Sequence, residues 1–412
     1  MSTAHVEIPK LQLPTDANIS GRTFGKEELE LLRQALESGT LNCTKGTFVN
    51  RFEKTFAERL GVASACAVTS GTAAVHCAVA AVNPEPGDEI ISSPITDMGA
   101  ISPILYQAAI PVFADVDPKS LLVTAETIAP RITRRTRAII VTHLFGNVCD
   151  MDPIMELAKK HNLTVIEDAA QALDAKYKGK PVGSIGHIGC FSLQQTKHIT
   201  TGEGGMAVTS DPKFARAMRL FHDKAWGYGD PNPDHYFLAL NYRMTELQGA
   251  VAVAQLEKLA WSVKQRQDMA LRLTSRLRGL RDVQLPEVTP GGTHVYWKYY
   301  LRLEKDNVAD VAKVLREEYG LATAPRYIQK PAFMCEVLRD HRTFGNSQWP
   351  YVGECRKGEP PVDYNPESYP GTTDGLAHIL VLPWNEKFTE EHVDYWVTAI
   401  SDVLQRVRGS HA

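Results

Sequence analysis

Between residues 60 and 210 the chain alternates short, mostly apolar runs with longer segments whose apolar positions recur every three or four residues. The short runs predict seven β-strands, at 65–69, 89–93, 110–114, 137–142, 164–167, 189–192 and 206–209. Between them, residues 72–82, 98–108 and 152–160 have the length and spacing of helices. Strands that are apolar on both faces belong in a mainly parallel sheet covered by helices on each side, because a sheet with one wet face would alternate. The predicted fold is therefore α/β, built on a seven-stranded, mainly parallel sheet.

The flanks read differently. An amphipathic helix is predicted over 26–38, stopped by Gly39. A long helical pattern runs over 244–280, with a break expected near Ala260 and Trp261. Beyond it, HVYWKYYLRL and HILVLP predict strands, and 308–319 and 390–407 predict helices, so the C-terminal part is expected to be a smaller α/β domain. The division expected is an N-terminal segment 1–40, a large domain 41–255 and a small domain 256–412. Inside the last, residues 326–373 are rich in Pro, Gly, Tyr and Arg without periodicity, and so long an irregular insertion is more often functional than idle.

Composition narrows the function. In 412 residues, 45 Lys and Arg face 48 Asp and Glu, which gives no electrostatic reason for a nucleic-acid or anionic-membrane partner. The seven cysteines form no CxxC pair, which argues for reduced thiols and a cytoplasmic location over disulfides or zinc. No secretory signal is expected at the start. Residues 60–84 lack any Asp, Glu, Lys or Arg, yet they are built from small residues around Ser70-Gly71-Thr72 and His76. A strand, a turn and a buried helix suit them better than a membrane span.

Three segments carry candidate chemistry, each at the C-terminal end of a predicted strand, where ligands gather in open α/β sheets. Ser70-Gly71-Thr72 opens a helix, and helix N-termini bind phosphate through free N–H groups, although an ordinary helix cap has the same residues. VIEDAAQA delivers Glu167 and Asp168 at a strand end with Gln171 one turn on; a carboxylate there holds a proton on a heterocycle, binds a metal, or caps a helix. In CFSLQQTKHITTGEGG, Lys197 sits among polar turns near the sheet edge, where a lysine with a lowered pKa serves as a nucleophile toward carbonyls. No metal-ligand spacing and no GxxxxGK[ST] phosphate loop occur.

Taken in order, SGTAA, PVFADVD, VTHLFG, EDAAQA, QQTKHITTGEGG and NYRMTELQGA resemble the DegT/DnrJ/EryC1/StrS aminotransferases, over about residues 21–280 and more weakly through HILVLP. The resemblance implies a fold-type I enzyme using pyridoxal 5′-phosphate (PLP) to aminate keto sugars, usually nucleotide-linked, or keto cyclitols, with glutamate or glutamine as donor. It implies that Lys197 holds PLP as a Schiff base and moves protons, and that Asp168 partners the pyridine nitrogen. Gln171 would lie near the ring 3-hydroxyl, and Gly71, Thr72 and Ser192 would bind the phosphate. Met98 would fall where relatives stack an aromatic residue on the ring. Asn241 would reach the phosphate of a second subunit, which makes a homodimer with shared sites the expected assembly. A dehydratase branch carries His at the lysine position; here Lys197 precedes His198, and the register of TTGEGG favours transamination. A regulatory protein that kept the fold without turnover is the remaining alternative.

Overall fold

The computed structural model describes residues 9–409; residues 1–8 of the expected N-terminal segment 1–40, and residues 410–412, lie outside the described residues. The large sheet has strands β1 (Ser64–Val68), β2 (Glu89–Ser92), β3 (Ile110–Phe113), β4 (Thr136–Thr142), β5 (Thr164–Asp168), β6 (Ile188–Ser192) and β7 (Gly205–Thr209). Their spatial order is β1-β7-β6-β5-β4-β2-β3. Strands β3, β2, β4, β5 and β6 pair in parallel, while β7 runs antiparallel to both β6 and β1. Because β7 alone is reversed, the C-terminal ends of the other six strands and the N-terminal end of β7 meet at one edge.

Both faces of this sheet are buried, as the apolar runs require. Ile139, Val141 and Val165 join a core with Phe52, Phe191 and Leu256 on one side. Ala138, Ile140 and Ile166, one position out of phase, pack with Val75 and Val79 on the other. Those two valines belong to the helix Gly71–Val82, so the uncharged stretch 60–84 is a strand and a buried helix. Among the described residues no helix is long and apolar enough to cross a membrane.

The C-terminal part builds its own antiparallel sheet from β8 (Val283–Gln284), β9 (Lys298–Leu303), β10 (Ala324–Pro325) and β11 (Ile379–Pro383), in the order β8-β9-β11-β10. Trp384, Trp396, Tyr299 and Leu315 centre its core, filled from the helices Val308–Tyr319 and Glu390–Gly409.

Some expectations are corrected. The helix Glu246–Leu277 is continuous through Ala260 and Trp261, since no proline or glycine interrupts it there, and Thr245 with Gln248 closes its start in a capping box. The expected helix over 98–108 divides into a single turn, Met98–Ala100, and a short helix, Ser102–Tyr106. Pro103 explains the division: it cannot donate a backbone hydrogen bond inside a continuous helix, but fits the first turn of a new one. A small hairpin, Lys176–Tyr177 with Lys180–Pro181, was not expected.

The insertion 326–373 is also more ordered than its composition suggests. Phe333, Leu338, Tyr351 and Tyr369 form a cluster with Phe113 and Ile110 of the edge strand β3. The Tyr364 hydroxyl donates to Pro111 O at 2.6 Å. The segment thus covers an edge that would otherwise present unpaired backbone groups.

Candidate active site

The shared sheet edge brings distant residues together. Ser70, Gly71 and Thr72 follow β1, Asp97 follows β2, Asp168 ends β5, Ser192 ends β6, and Glu203 precedes β7; all line one cavity of about 400 Å³ with Gln171, Lys197, Trp297 and Tyr327. At its floor the helix Gly71–Val82 begins. Ser70 Oγ accepts from Ala73 N and Ser70 O from Ala74 N, so the N–H groups of Gly71 and Thr72 have no acceptor within the helix. The contact with β6 is close: a Cβ at Gly71 would lie 2.8 Å from Ser192 Cβ, and one at Gly205 would lie 2.2 Å from Ser70 O. This is a backbone cradle with two hydroxyls beside it, suited to a phosphate.

Strand alternation separates the adjacent carboxylates. Glu167 is fully buried on the far side, where it accepts from Gly183 N, Ile185 N and Gly186 N at 2.8, 2.8 and 2.5 Å and faces His143 Nε2 at 3.1 Å. His143 Nδ1 accepts from Cys149 N, which fixes the Nε2–H tautomer pointing at Glu167. Glu167 is therefore occupied with folding. Asp168 points into the cavity, and its Oδ1 accepts from Ala170 N at 3.2 Å. Burial raises its pKa, opposed by the Ala170 N–H and by Lys197. A desolvated carboxylate with an oxygen to spare favours a cationic N–H partner, which the pyridine nitrogen of PLP supplies when protonated.

Lys197 Nζ lies 4.1 Å from the centroid of the Trp297 ring. Burial pushes its amine down to about 8, Asp168 pulls it back up, and Lys298 lowers it further. Next to it, His198 is buried, with Nε2 donating to Val295 O at 3.0 Å, and is held far below its usual pKa by burial. Of this pair, only the lysine lines the cavity. Gln171 Oε1 accepts from Phe145 N at 2.7 Å and meets the Tyr327 hydroxyl, whose pKa burial raises to about 12.

Six of the expected positions, Gly71, Thr72, Asp168, Gln171, Ser192 and Lys197, line the one cavity. Met98 does not. It packs beside the insertion's aromatic cluster, and the wall at that place is Asp97 with Gly99 and Ala100. The reason is local: Asp97 Oδ1 caps the following turn through Gly99 N at 2.7 Å, which keeps the carboxylate on the cavity side, while Met98 packs against the aromatic cluster. Asn241 lies outside the cavity of its own chain. It is exposed, bridging to Asp223, with Oδ1 accepting from Arg243 N at 3.3 Å. Trp297, Asp97 and Glu203 are lining residues that the sequence did not single out; Tyr327 belongs to the insertion, whose Arg326, Tyr327, Lys330, Arg339, His341 and Arg342 were the candidate acceptor contacts. For Trp297, an aromatic just before an apolar strand was the only available signal.

A phosphate cradle, a desolvated carboxylate and an amine with a lowered pKa, arranged on one edge of this sheet, define a PLP-dependent enzyme of fold type I. Residues 22–355 match the DegT/DnrJ/EryC1/StrS aminotransferase family, and the chain belongs to it. The chain is 39% identical to a GDP-perosamine synthase of Caulobacter vibrioides, over 87% of this chain and 91% of the relative. It is 35% identical to an L-glutamine:2-deoxy-scyllo-inosose aminotransferase of Streptomyces lividus, over 72% of this chain and 75% of that one. An aminotransferase from Psychrobacter cryohalolentis has a similar structure, with a TM-score of 0.79, 29% identity and coverage of 94% and 99%. The protein is accordingly a PLP-dependent aminotransferase of the sugar-aminating family.

Proposed function

We propose that the enzyme transfers an amino group from glutamate or glutamine to a nucleotide-linked keto sugar. The observation that carries the catalytic part is Lys197: a desolvated amine, free of carboxylate partners at contact distance, beside Asp168 in a cavity with a phosphate cradle. The acceptor class rests on similarity to the GDP-perosamine synthase across nearly the whole chain.

PLP, when bound, supplies an electron sink for the charge left when a proton is removed next to the amine nitrogen. The chain's own residues divide the remaining work. Gly71 and Thr72 N–H groups with the Ser192 hydroxyl hold the phosphate, and Asn241 of a second copy reaches the same phosphate in a homodimer. Asp168 keeps a proton on the pyridine nitrogen, and Gln171 sits beside the ring 3-hydroxyl. Lys197 would hold the cofactor covalently, and its Nζ, once free, would serve as the base and acid that moves a proton next to the reacting nitrogen. With an acceptor ketone present, the same Nζ would return the proton.

A keto cyclitol is the second reading. One observation favours it: the cavity lining includes Asp97 and Glu203 but no arginine, a wall suited to hydroxyls more than to a diphosphate from its own chain. The experiment is borohydride trapping followed by peptide mapping, then a half-reaction screen. Label on Lys197 and conversion by glutamate or glutamine are expected. Nitrogen transfer to nucleotide-linked keto sugars supports the first acceptor, and transfer only to keto cyclitols supports the second. A chromophore that no amino donor changes would reject transamination.

A further inference from the structure

The loop carrying Lys197 is gripped in an unusual way. Three successive carbonyls on it are each taken by a side chain: Arg22 Nη1 donates to Gln195 O at 3.1 Å and to Lys197 O at 2.8 Å, and Trp297 Nε1 donates to Thr196 O at 2.7 Å. In return Gln195 Nε2 donates to Asp16 O at 2.8 Å.

Arg22 is itself fixed from behind. Its Nη2 meets Asp16 Oδ1 at 2.6 Å and Glu386 Oε1 at 3.3 Å. The same two carboxylates hold Arg266, with Nη2 at 2.7 Å from Glu386 Oε2 and 3.4 Å from Asp16 Oδ1. Arg266 Nη1 donates to Trp384 O at 2.7 Å and to Trp297 O at 3.2 Å. Asn385 bonds Asp16 Oδ1 and donates to Gly21 O at 3.1 Å. Packing at Gly21 is so close that a Cβ would lie 2.4 Å from Thr15 O. Lys298 completes the cluster, 3.6 Å from Asp16 Oδ2 and 5.0 Å from the centroid of the indole that also faces Lys197.

Asp16, Arg22, Arg266, Trp297, Asn385 and Glu386 are buried, and they come from the N-terminal segment, the long helix and the C-terminal sheet region. Burying so many charges costs desolvation that a purely stabilising role does not require, since apolar packing of similar volume would serve folding as well. What apolar packing could not do is donate to consecutive loop carbonyls. We propose that Arg22 and Trp297 are positioning residues for Lys197, clamping the loop backbone so that the ε-amine is held over the cavity by an ion cluster outside it.

This rests on the assignment of Lys197 as the cofactor anchor. The charged groups facing its amine are Asp168 from β5, Asp97 after β2, Lys298 from β9 and Asp16 of the N-terminal segment. Loosening the loop moves the amine relative to all of them.

The test uses holoenzyme of Arg22→Lys, which keeps the charge but cannot span two carbonyls and two carboxylates at once. The expected result is a fall in kcat of about 10–100-fold with KM for donor and acceptor within about twofold, since misplacing a catalytic group by an ångström costs that much. The visible absorption band of the bound cofactor should also change its pH midpoint. Arg356→Lys is the structural control: Arg356 is equally buried, pairing with Glu89 at 2.8 Å far from the cavity. It should lower thermal stability and leave kcat and the band unchanged. If Arg22→Lys behaves like this control, the proposal is overturned. Should Arg22→Lys not fold, Trp297→Phe keeps the ring and removes the Thr196 bond, and an unaltered band midpoint and kcat in that variant would equally overturn it. Absence of borohydride label on Lys197 in the wild type would instead reject the anchor assignment, a separate outcome.

Discussion

The cavity edge of the large sheet and the insertion 326–373 both hold aromatic rings and charged side chains, and they use them in opposite ways. Around the cavity, Asp168 and the ion cluster behind the lysine loop are desolvated, whereas Asp97 and Glu203 in its lining are exposed. Asp168, Glu167, Arg22 and Arg266 are buried, and Lys197 loses enough water to bring its amine down to about 8. In the insertion the exposed charges pair with one another, as Arg339 does with Asp340 at 2.7 Å and Arg342 with Glu336 at 2.5 Å; Arg356, buried against Glu89 of β2, is the exception. His341 stacks on Tyr351 at 4.0 Å between centroids, and the rings, not the charges, hold the segment to β3. Of six residues there with suitable chemistry for a substrate (Arg326, Tyr327, Lys330, Arg339, His341 and Arg342), only Tyr327 lines the cavity. The lesson is that a charge acquires chemistry by losing water, and the number of charges in a segment says little about it.

That contrast can be broken or sharpened by experiment. The largest effect is expected from Lys197→Ala, which should lower kcat by about 10³-fold or more and abolish borohydride trapping, measured by steady-state kinetics and peptide mapping. Asp168→Asn keeps shape and removes the charge facing the ring, and should cost about 10²-fold in kcat with the fold intact by circular dichroism. Its neighbour is the informative counterpart. Glu167→Gln should cost about 2–3 kcal/mol of stability in denaturant titration, because three backbone N–H groups and His143 lose a charged acceptor. Its effect on kcat should be far smaller than that of Asp168→Asn.

The pH dependence follows from the lysine. With the amine at about 8 in place of 10.5, its neutral, proton-accepting fraction rises about tenfold between pH 7 and pH 9. Single-turnover proton-transfer rates should climb over that window and then level off. In protein freed of cofactor the unfolded chain binds the extra proton between about 8 and 10.5, so this group makes stability rise with pH there. The smallest effect is expected in the insertion. Arg342→Ala, more than half exposed, should leave both kcat and the thermal midpoint within error, and a large loss would break the comparison.

Much of this was legible in the chain. Strand runs apolar on both faces specified a covered parallel sheet, and residues ending those strands had to share an edge, so Ser70–Thr72, Asp168, Ser192 and Lys197 were readable as one group. Asp97 rather than Met98 lines the cavity, because a cap formed by Asp97 decides which of two neighbours faces inward, and sequence spacing does not register it. Trp297 was not legible, since it arrives from the C-terminal part, far along the chain from the motifs at the large sheet's strand ends.

The sequence alone determined the alternation of buried strand and helix, the residues available at strand ends, and the family those residues belong to. Periodicity and local turn chemistry act over a few positions and survive in any one-dimensional reading. The resemblance already pointed to Asp168 and Lys197; only the tertiary structure decided that their neighbours Glu167 and His198 are buried against the core with partners of their own. It alone brought Arg22, Arg266 and Glu386 together behind the lysine loop. Those outcomes depend on how much water each group loses and which distant partner replaces it, and desolvation is a property of the packed whole.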